Sequence, residues 1–206
     1  RQKLVDWMEF LELAQYFAVE QIKQKNEGHS DNTPDPAMID MFNDMVDEMF
    51  EYGRFILKEK RKNPANDLLS AIANAEINGE KLSDEFLDGS WLLIIFAGND
   101  TTRNTMSGGI KLLHENQEQK EMLINDLELL PNFINETVRC VSPVIHMRRT
   151  SLEETEINGQ KIGPYEKIAL WYGAANRDPS VFEDPNKFNI LRDNADKHLA
   201  FGIGRH

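Results

Sequence analysis

A single cysteine, Cys140, leaves no possibility of a disulfide within the chain and suits a reducing compartment, so a cytoplasmic location is expected. Long apolar runs are missing too. The longest strictly apolar stretch reaches only from Trp91 to Ala97, far short of the roughly 20 residues that cross a bilayer, so no transmembrane anchor is expected. Positive charge is in deficit: 23 Lys and Arg stand against 35 Asp and Glu, for a net charge of -12. That balance argues against nucleic acid or an anionic membrane as the main partner. There is no internal repeat, no low-complexity tract, and no flavin or nicotinamide motif. The first residue is Arg1 rather than methionine, no signal peptide pattern follows it, and the last residues, Phe201-Gly202-Ile203-Gly204-Arg205-His206, read as the middle of a glycine loop. Both ends are therefore expected to be truncated, and residues 1–206 to be part of one domain.

What is present is enough for a core: 40% hydrophobic and 28% charged residues. The pattern predicts a mainly α fold with a small β region. Apolar residues at helical spacing run from Leu4 to about Lys25, followed by a Gly- and Pro-containing loop from Asn26 to Pro36. A second amphipathic helix is predicted from Ala37 to about Lys62, with Met38, Met41, Phe42, Met45, Met49, Phe50 and Phe55 facing inward. Methionine is an adaptable core residue, and no histidine or cysteine interleaves these, so they read as packing rather than as metal ligands. A short helix from Asp67 to Glu76 and a tight turn at Asn78-Gly79 come next. Later, Asn116 to Glu128 is helix-forming, and Pro131 suits the first turn of a helix ending near Ser142-Pro143. Beyond it the period changes to that of strands at Val144–Thr150, a hairpin on Asn158-Gly159, and a strand at Lys167–Tyr172. Loops with Asp178-Pro179 and Asp184-Pro185 turns complete the chain.

The stretch from Ser83 to about Gln117 organises the rest. It is predicted to be one long helix, capped by Ser83, with Asp84 and Glu85 placed where the helix dipole favours negative charge; Gly89-Ser90 weakens the pattern, and a short turn at Ser83 with the main helix starting near Ser90 is the alternative. Its lead-in, Trp91-Leu92-Leu93-Ile94-Ile95-Phe96, contains no proline and has no polar face, so burial through the middle of the protein is expected. The centre, Ala97-Gly98-Asn99-Asp100-Thr101-Thr102, breaks local rules. Gly98 costs about 1 kcal/mol in a helix interior, Asp100 puts a carboxylate among apolar neighbours, and Thr101 and Thr102 can bond back to carbonyls four residues earlier and loosen the helix. Such coincident violations point to a site, although a polar kink packed on another helix has the same signature.

That centre resembles the oxygen-activating helix of cytochrome P450 monooxygenases. Glu136-Thr137-Val138-Arg139 matches their Glu-x-x-Arg helix. Asn176-Arg177-Asp178-Pro179, Phe182, Asp184-Pro185, Phe188 and Arg192 resemble their meander, and Phe201 to His206 match the opening of their haem loop, Phe-Gly-x-Gly-x-His-x-Cys. Each match is weak alone, but the four occur in the right order and cover about Leu68 to His206.

The resemblance implies the C-terminal part of the P450 fold, of bacterial soluble type, with haem b as cofactor and O2 as co-substrate. Asp100 and Thr101 would be catalytic, delivering protons to dioxygen through water. Ala97 and Gly98 would leave room above the haem. Phe201, Gly202 and Gly204 would form its loop, and Arg149 and His206 would bind its propionates. Arg139 and Arg192 would clamp Glu136 in a buried network, while Val144 and Ile145 would line the substrate pocket. The axial ligand, a cysteine thiolate, would lie two residues past His206, so the chain itself supplies no metal ligand and is expected to be inactive alone. Electrons would come from NAD(P)H through a ferredoxin reductase and a ferredoxin. The implied reaction is insertion of one oxygen atom of O2 into a C–H bond of an aliphatic, terpenoid or sterol side chain. Haem-thiolate isomerase or dehydratase chemistry, or a helical scaffold without catalysis, are the alternatives.

Overall fold

The computed structural model describes residues 2–11, 13 and 36–204. The predicted continuation of the first helix to Lys25, most of the Asn26–Pro36 loop, and the expected propionate ligand His206 lie outside these residues. The chain forms two compact units, residues 1–99 and 100–206.

In the first unit, residues 2–11 are helical (α1), followed by α2, Pro36–Lys62, and α3, Leu68–Asn74. Asp67 caps α3, accepting from the Ser70 amide at 2.8 Å. A hairpin joins β1, Glu76–Ile77, to β2, Glu80–Lys81. Its turn residues Asn78 and Gly79 both have positive φ (55° and 84°), the geometry of a type I′ turn. The core comprises Trp7, Met49, Leu57, Ala73, Leu87 and Trp91. Gly53 belongs to it as well: a β-carbon there would fall 2.5 Å from the Trp91 ring, so only glycine lets α2 approach that side chain. The indole N–H of Trp91 donates to the Met49 carbonyl at 3.0 Å.

Two inward assignments on α2 are corrected. Met41 and Phe55 are exposed, at 50% and 60%. The buried stripe runs through Met45, Met49, Gly53 and Leu57, and Phe55 lies about 200° around the helix from Gly53, on the other face.

The long helix α4, Asp84–Glu115, is α-helical throughout, including Gly98 to Thr102. Ser83 accepts from the Phe86 amide at its start. Burial of the lead-in is only partial: Trp91 is buried, but Leu93 is 65% exposed. Within the first unit α4 packs through Leu87, Trp91, Leu92 and Ile95, and Leu93 lies off that face.

The second unit takes the C-terminal part of α4 and adds α5, Gln117–Asn125, and α6, Leu130–Val141. Strand β3, His146–Thr150, pairs antiparallel with β6, Lys167–Trp171, in the register His146 opposite Trp171. A hairpin on Asn158-Gly159 joins β4, Thr155–Ile157, to β5, Gln160–Ile162. Tyr172–Ala175 form a helical turn, α7, and the remaining residues to Gly204 are turns and bends with one 3-10 segment. Leu123, Phe188 and Ile190 form the core here. Helices α4 and α6 meet at Gly108-Gly109, where added β-carbons would fall 2.5 Å from Val141 and 3.0 Å from Thr137.

Candidate functional site

The second unit holds a fully buried charge network. Helix α6 has a strongly one-sided sequence, and its inner face carries Glu136, Thr137, Val138 and Arg139. Glu136 and Arg139 have no solvent exposure, and Arg192 has 7%. The Glu136 carboxylate accepts from Arg139 Nε and Nη2 at 2.7 and 2.8 Å, from Arg192 Nε at 3.1 Å, and from the Asn189 amide at 2.9 Å. Arg139 spends its other donors on the carbonyls of Asn176 (2.7 Å), Pro185 (2.8 Å) and Lys187 (3.3 Å), and its guanidinium lies over the Phe182 ring at 5.1 Å. Arg192 reaches the carbonyls of Glu183, Asp184 and Lys187. Burial of such charges is tolerable only when each lone pair and N–H finds a partner, and here nearly all do.

The network also sets local proton affinities. Burial works most strongly against the Arg139 cation, but the hydrogen bonds it donates to Glu136 and the attraction of nearby negative charge together outweigh it, and the pKa is raised. Burial, with Glu136 nearby, pushes the Cys140 thiol up to about 11. Cys140 is thus a neutral, half-buried filler beside α5 and the meander and no candidate nucleophile.

The meander from Asn176 to Ala200 is nearly free of regular structure, so side chains satisfy its backbone. Asn132 of α6 donates to the carbonyls of Ile190 and Arg192, Gln119 of α5 accepts from the Ile190 amide, and Asn194 donates to the Val181 carbonyl. Sequence reasoning marks none of the three side chains, Asn132, Gln119 and Asn194, that make these bonds. Asparagine and glutamine far from their partners leave no periodic trace.

A cavity of about 550 Å³ lies along α4 and α6. Its walls include Thr101, Thr105 and Gly109 from α4, Phe133 and Thr137 from α6, and Phe201 from the glycine loop. The Thr137 hydroxyl is buried and has no hydrogen-bond partner. The loop itself turns through Gly202 and Gly204, at φ 75° and 86°, values that suit glycine. A β-carbon on Gly202 would approach the Tyr172 hydroxyl to 3.3 Å.

Of the residues singled out from sequence, Thr101 and Phe201 share this cavity. Asp100, on the same helix, is partly exposed and binds Arg103 at 3.0 Å and Asn104 at 3.2 Å. Ala97 and Gly98 are exposed on α4. Arg149 is exposed on β3, Ile145 is exposed and Val144 half-buried just before that strand, and none of the three is among the cavity walls. His146 packs edge-on against Trp171, its cross-strand partner, at 4.7 Å. Among the described residues there is no His, Cys, Asp and Glu cluster that could hold a metal, and no helix is long and apolar enough to cross a membrane.

Comparison with known proteins bears on the same region. The family model for cytochrome P450 matches residues 34–206. The chain is 39% identical over 175 residues to linalool 8-monooxygenase of Pseudomonas putida, covering 84% of this chain and 43% of that protein. It is 38% identical over 172 residues to steroid C26-monooxygenase of Mycolicibacterium smegmatis, with the same two coverages. Among solved structures, CYP109E1 from Bacillus megaterium in complex with corticosterone superposes with a TM-score of 0.76 at 35% identity, over 85% of this chain and 47% of that one. The chain thus spans less than half the length of these relatives. With a family match running unbroken from residue 34 through α4, the buried network and the glycine loop, the chain belongs to the cytochrome P450 family.

Proposed function

We propose that the whole protein is a haem-thiolate monooxygenase that inserts one oxygen atom of O2 into a C–H bond of a hydrophobic substrate. The observation that carries this reading is the wall that Thr101 and Phe201 share, in a chain of a family that uses haem iron and O2. The residues fit such a group. The cavity walls are largely apolar, its volume lies within the roughly 300–1,000 Å³ of small-molecule sites, and the left-handed Gly202 brings the loop backbone close to Tyr172. Bound haem supplies the iron that activates dioxygen, with its thiolate expected from a cysteine two residues past His206.

This chain's own residues have the remaining tasks. Thr101, on the cavity wall, would order a water at its hydroxyl and pass a proton through it. Asp100 resupplies that proton, and its partial exposure beside Arg103 and Asn104 gives it a route to solvent. Ala97 and Gly98, small and exposed on α4, would leave room for the haem. Arg149 and His206 would bind the propionates, Gly202 and Gly204 would shape the loop, and Val144 and Ile145, which lie outside the walls of this cavity, would meet the substrate from beyond it. Glu136, Arg139 and Arg192 hold the meander behind the loop.

The chain is read as part of one P450 domain, because it spans less than half of its relatives and leaves Leu93, Met106 and Ile110 of α4 exposed at 60% or more. Electrons reach the site from NAD(P)H through a separate ferredoxin reductase and ferredoxin, in the cytoplasm. The named reactions of the relatives, on linalool and on a steroid, favour oxygenation over isomerase or dehydratase chemistry. They also favour an aliphatic, terpenoid or sterol side chain as the substrate. A homologous series of such chains, titrated into the complete enzyme and read by haem spin state and by product, tests this. Each added CH2 contributes roughly 0.8 kcal/mol, so affinity should rise about fourfold per carbon until the pocket is full. A response confined to small aromatic or charged compounds would overturn the substrate class.

A further inference from the structure

Asn176 sits where three parts of the second unit meet, and it is completely buried. Its backbone carbonyl accepts from Arg139 Nη1 at 2.7 Å, which ties it to the Glu136 network. Its side-chain Nδ2 donates to Ser142 Oγ at 2.8 Å, and Ser142, in a left-handed conformation, ends α6 and donates to the Arg139 carbonyl at 3.0 Å. Its side-chain Oδ1 accepts from the Leu199 amide at 2.6 Å. Leu199 in turn accepts, through its carbonyl, from the Gly202 amide at 2.9 Å, which closes the first turn of the glycine loop with Phe201 inside it. Asn176 is itself placed by α7, its amide bonded to the Tyr172 carbonyl at 2.8 Å, and it is the Tyr172 hydroxyl that Gly202 approaches.

We propose that Asn176 is the positioning residue of the glycine loop, transmitting the fixed geometry of the Glu136–Arg139 pair to Leu199 and so to the Phe201–Gly204 turn. The links from Asn176 to Arg139 and Ser142 are fully buried and the one to Leu199 partly so, and a partner lost from water's reach is not replaced. No helix or strand reaches from Asn176 to the loop, and the other contacts at the start of the Leu199–Gly202 turn are local: the Ala200 amide donates to His198 Nδ1 at 3.3 Å, and His198 lies edge-on to Phe201 at 5.0 Å. The part of this inference that concerns haem rests on the function proposed above. The part that concerns Leu199 does not.

The test uses the complete protein and two variants. Asn176→Leu keeps the approximate shape but removes both side-chain bonds, whereas Ser142→Ala removes the bond from Nδ2, together with the bond from Ser142 to the Arg139 carbonyl, and leaves the Oδ1–Leu199 bond in place. Amide hydrogen exchange at Leu199 and Gly202 is the first readout. Leu199 should be protected in the wild type and in Ser142→Ala, and should exchange at least about tenfold faster in Asn176→Leu, the factor for roughly 1.4 kcal/mol of lost hydrogen bonding. The second readout is the Soret band of the reduced, carbon monoxide-treated protein. Asn176→Leu should move part of the haem out of the red-shifted thiolate-ligated form, and Ser142→Ala should not. If Asn176→Leu does not fold, the wild-type exchange rate of Leu199 decides: protection supports the proposal, and exchange at the rate of an open amide overturns it. Equal exchange and equal spectra in the two variants also overturn it. A wild-type protein that binds no haem would refute the monooxygenase reading, while the exchange comparison still decides for or against Asn176.

Discussion

The centre of α4 and the buried network on α6 are both polar interruptions of apolar helices, yet they are built in opposite ways. On α6, Glu136 has no exposure and accepts four close hydrogen bonds, two from Arg139 and one each from Arg192 and the Asn189 amide. On α4, Asp100 is partly open to solvent, and its partners, Arg103 and Asn104, come from the next turn of its own helix. A carboxylate locked between a guanidinium of its own helix and another from a segment more than fifty residues away cannot move without disrupting what surrounds it. One that is held only by its neighbours on an open helix face can move. The difference separates a structural acid from one suited to moving protons, and it divides the roles proposed here.

The largest effect is expected at the closed end of this comparison. Glu136→Ala leaves Arg139 and Arg192 buried without a counter-charge, a loss of about 3–5 kcal/mol, comparable with the whole stability of many domains. The complete variant should fail to accumulate with haem, and a normal yield of haem-loaded protein would show that the network is dispensable. At the open end, Thr101→Ala should leave folding and haem binding intact but divert reducing equivalents to peroxide. General acid assistance typically contributes about 10²–10⁴-fold, and product formed per NAD(P)H consumed measures it. Unchanged coupling would remove Thr101 from the proton path.

A smaller effect should mark the place where the two helices touch. Gly108→Ala sets a β-carbon 2.5 Å from Val141 Cγ2, so α4 and α6 must shift apart or Val141 must change rotamer. Overpacking of this kind costs about 1–3 kcal/mol, readable as a lowered denaturant midpoint. Gly98→Ala, with nothing within 4 Å of the added carbon, should be neutral or slightly stabilising by the same measurement. The smallest effect belongs to Asp67, outside both sites. Its hydrogen bond from Lys60, and then the one from the Ser70 amide, lower its pKa to about 2. A carboxylate with a depressed folded-state pKa stabilises above its unfolded value near 3.8 and loses that contribution as pH falls toward 2. Asp67→Asn, which can still cap α3, should flatten the fall of stability between about pH 4 and 2, as followed by acid unfolding.

How much of this could be read from sequence depended on the range of the interaction. Asn78-Gly79 and Asn158-Gly159 announced their hairpins because a two-residue turn with two positive φ values leaves few alternatives. Helix α6 was legible from Pro131 to the Ser142 cap, and α4 from Ser83 onward, since capping and the absence of breakers are local. The facing of side chains was less so. Met41 and Phe55 are apolar residues on a helix with only one buried stripe, and composition cannot say which apolar residues fall on it. The Asn132, Gln119 and Asn176 bonds were invisible because their partners are backbone groups 23 to 71 positions away in an irregular segment. The paired glycines at 108 and 109 did carry a usable signal: two adjacent helix-weakening residues in an otherwise sound helix imply a close neighbour.

The central claim is that this chain belongs to a haem-thiolate oxygenase whose loop, network and α4 act together. The most direct measurement is the absorption spectrum of the complete protein, reduced and treated with carbon monoxide. A strongly red-shifted Soret band, present in the wild type and lost in Glu136→Ala, is the expected result. A complete protein that binds no haem, or binds it without that shift, would contradict the claim.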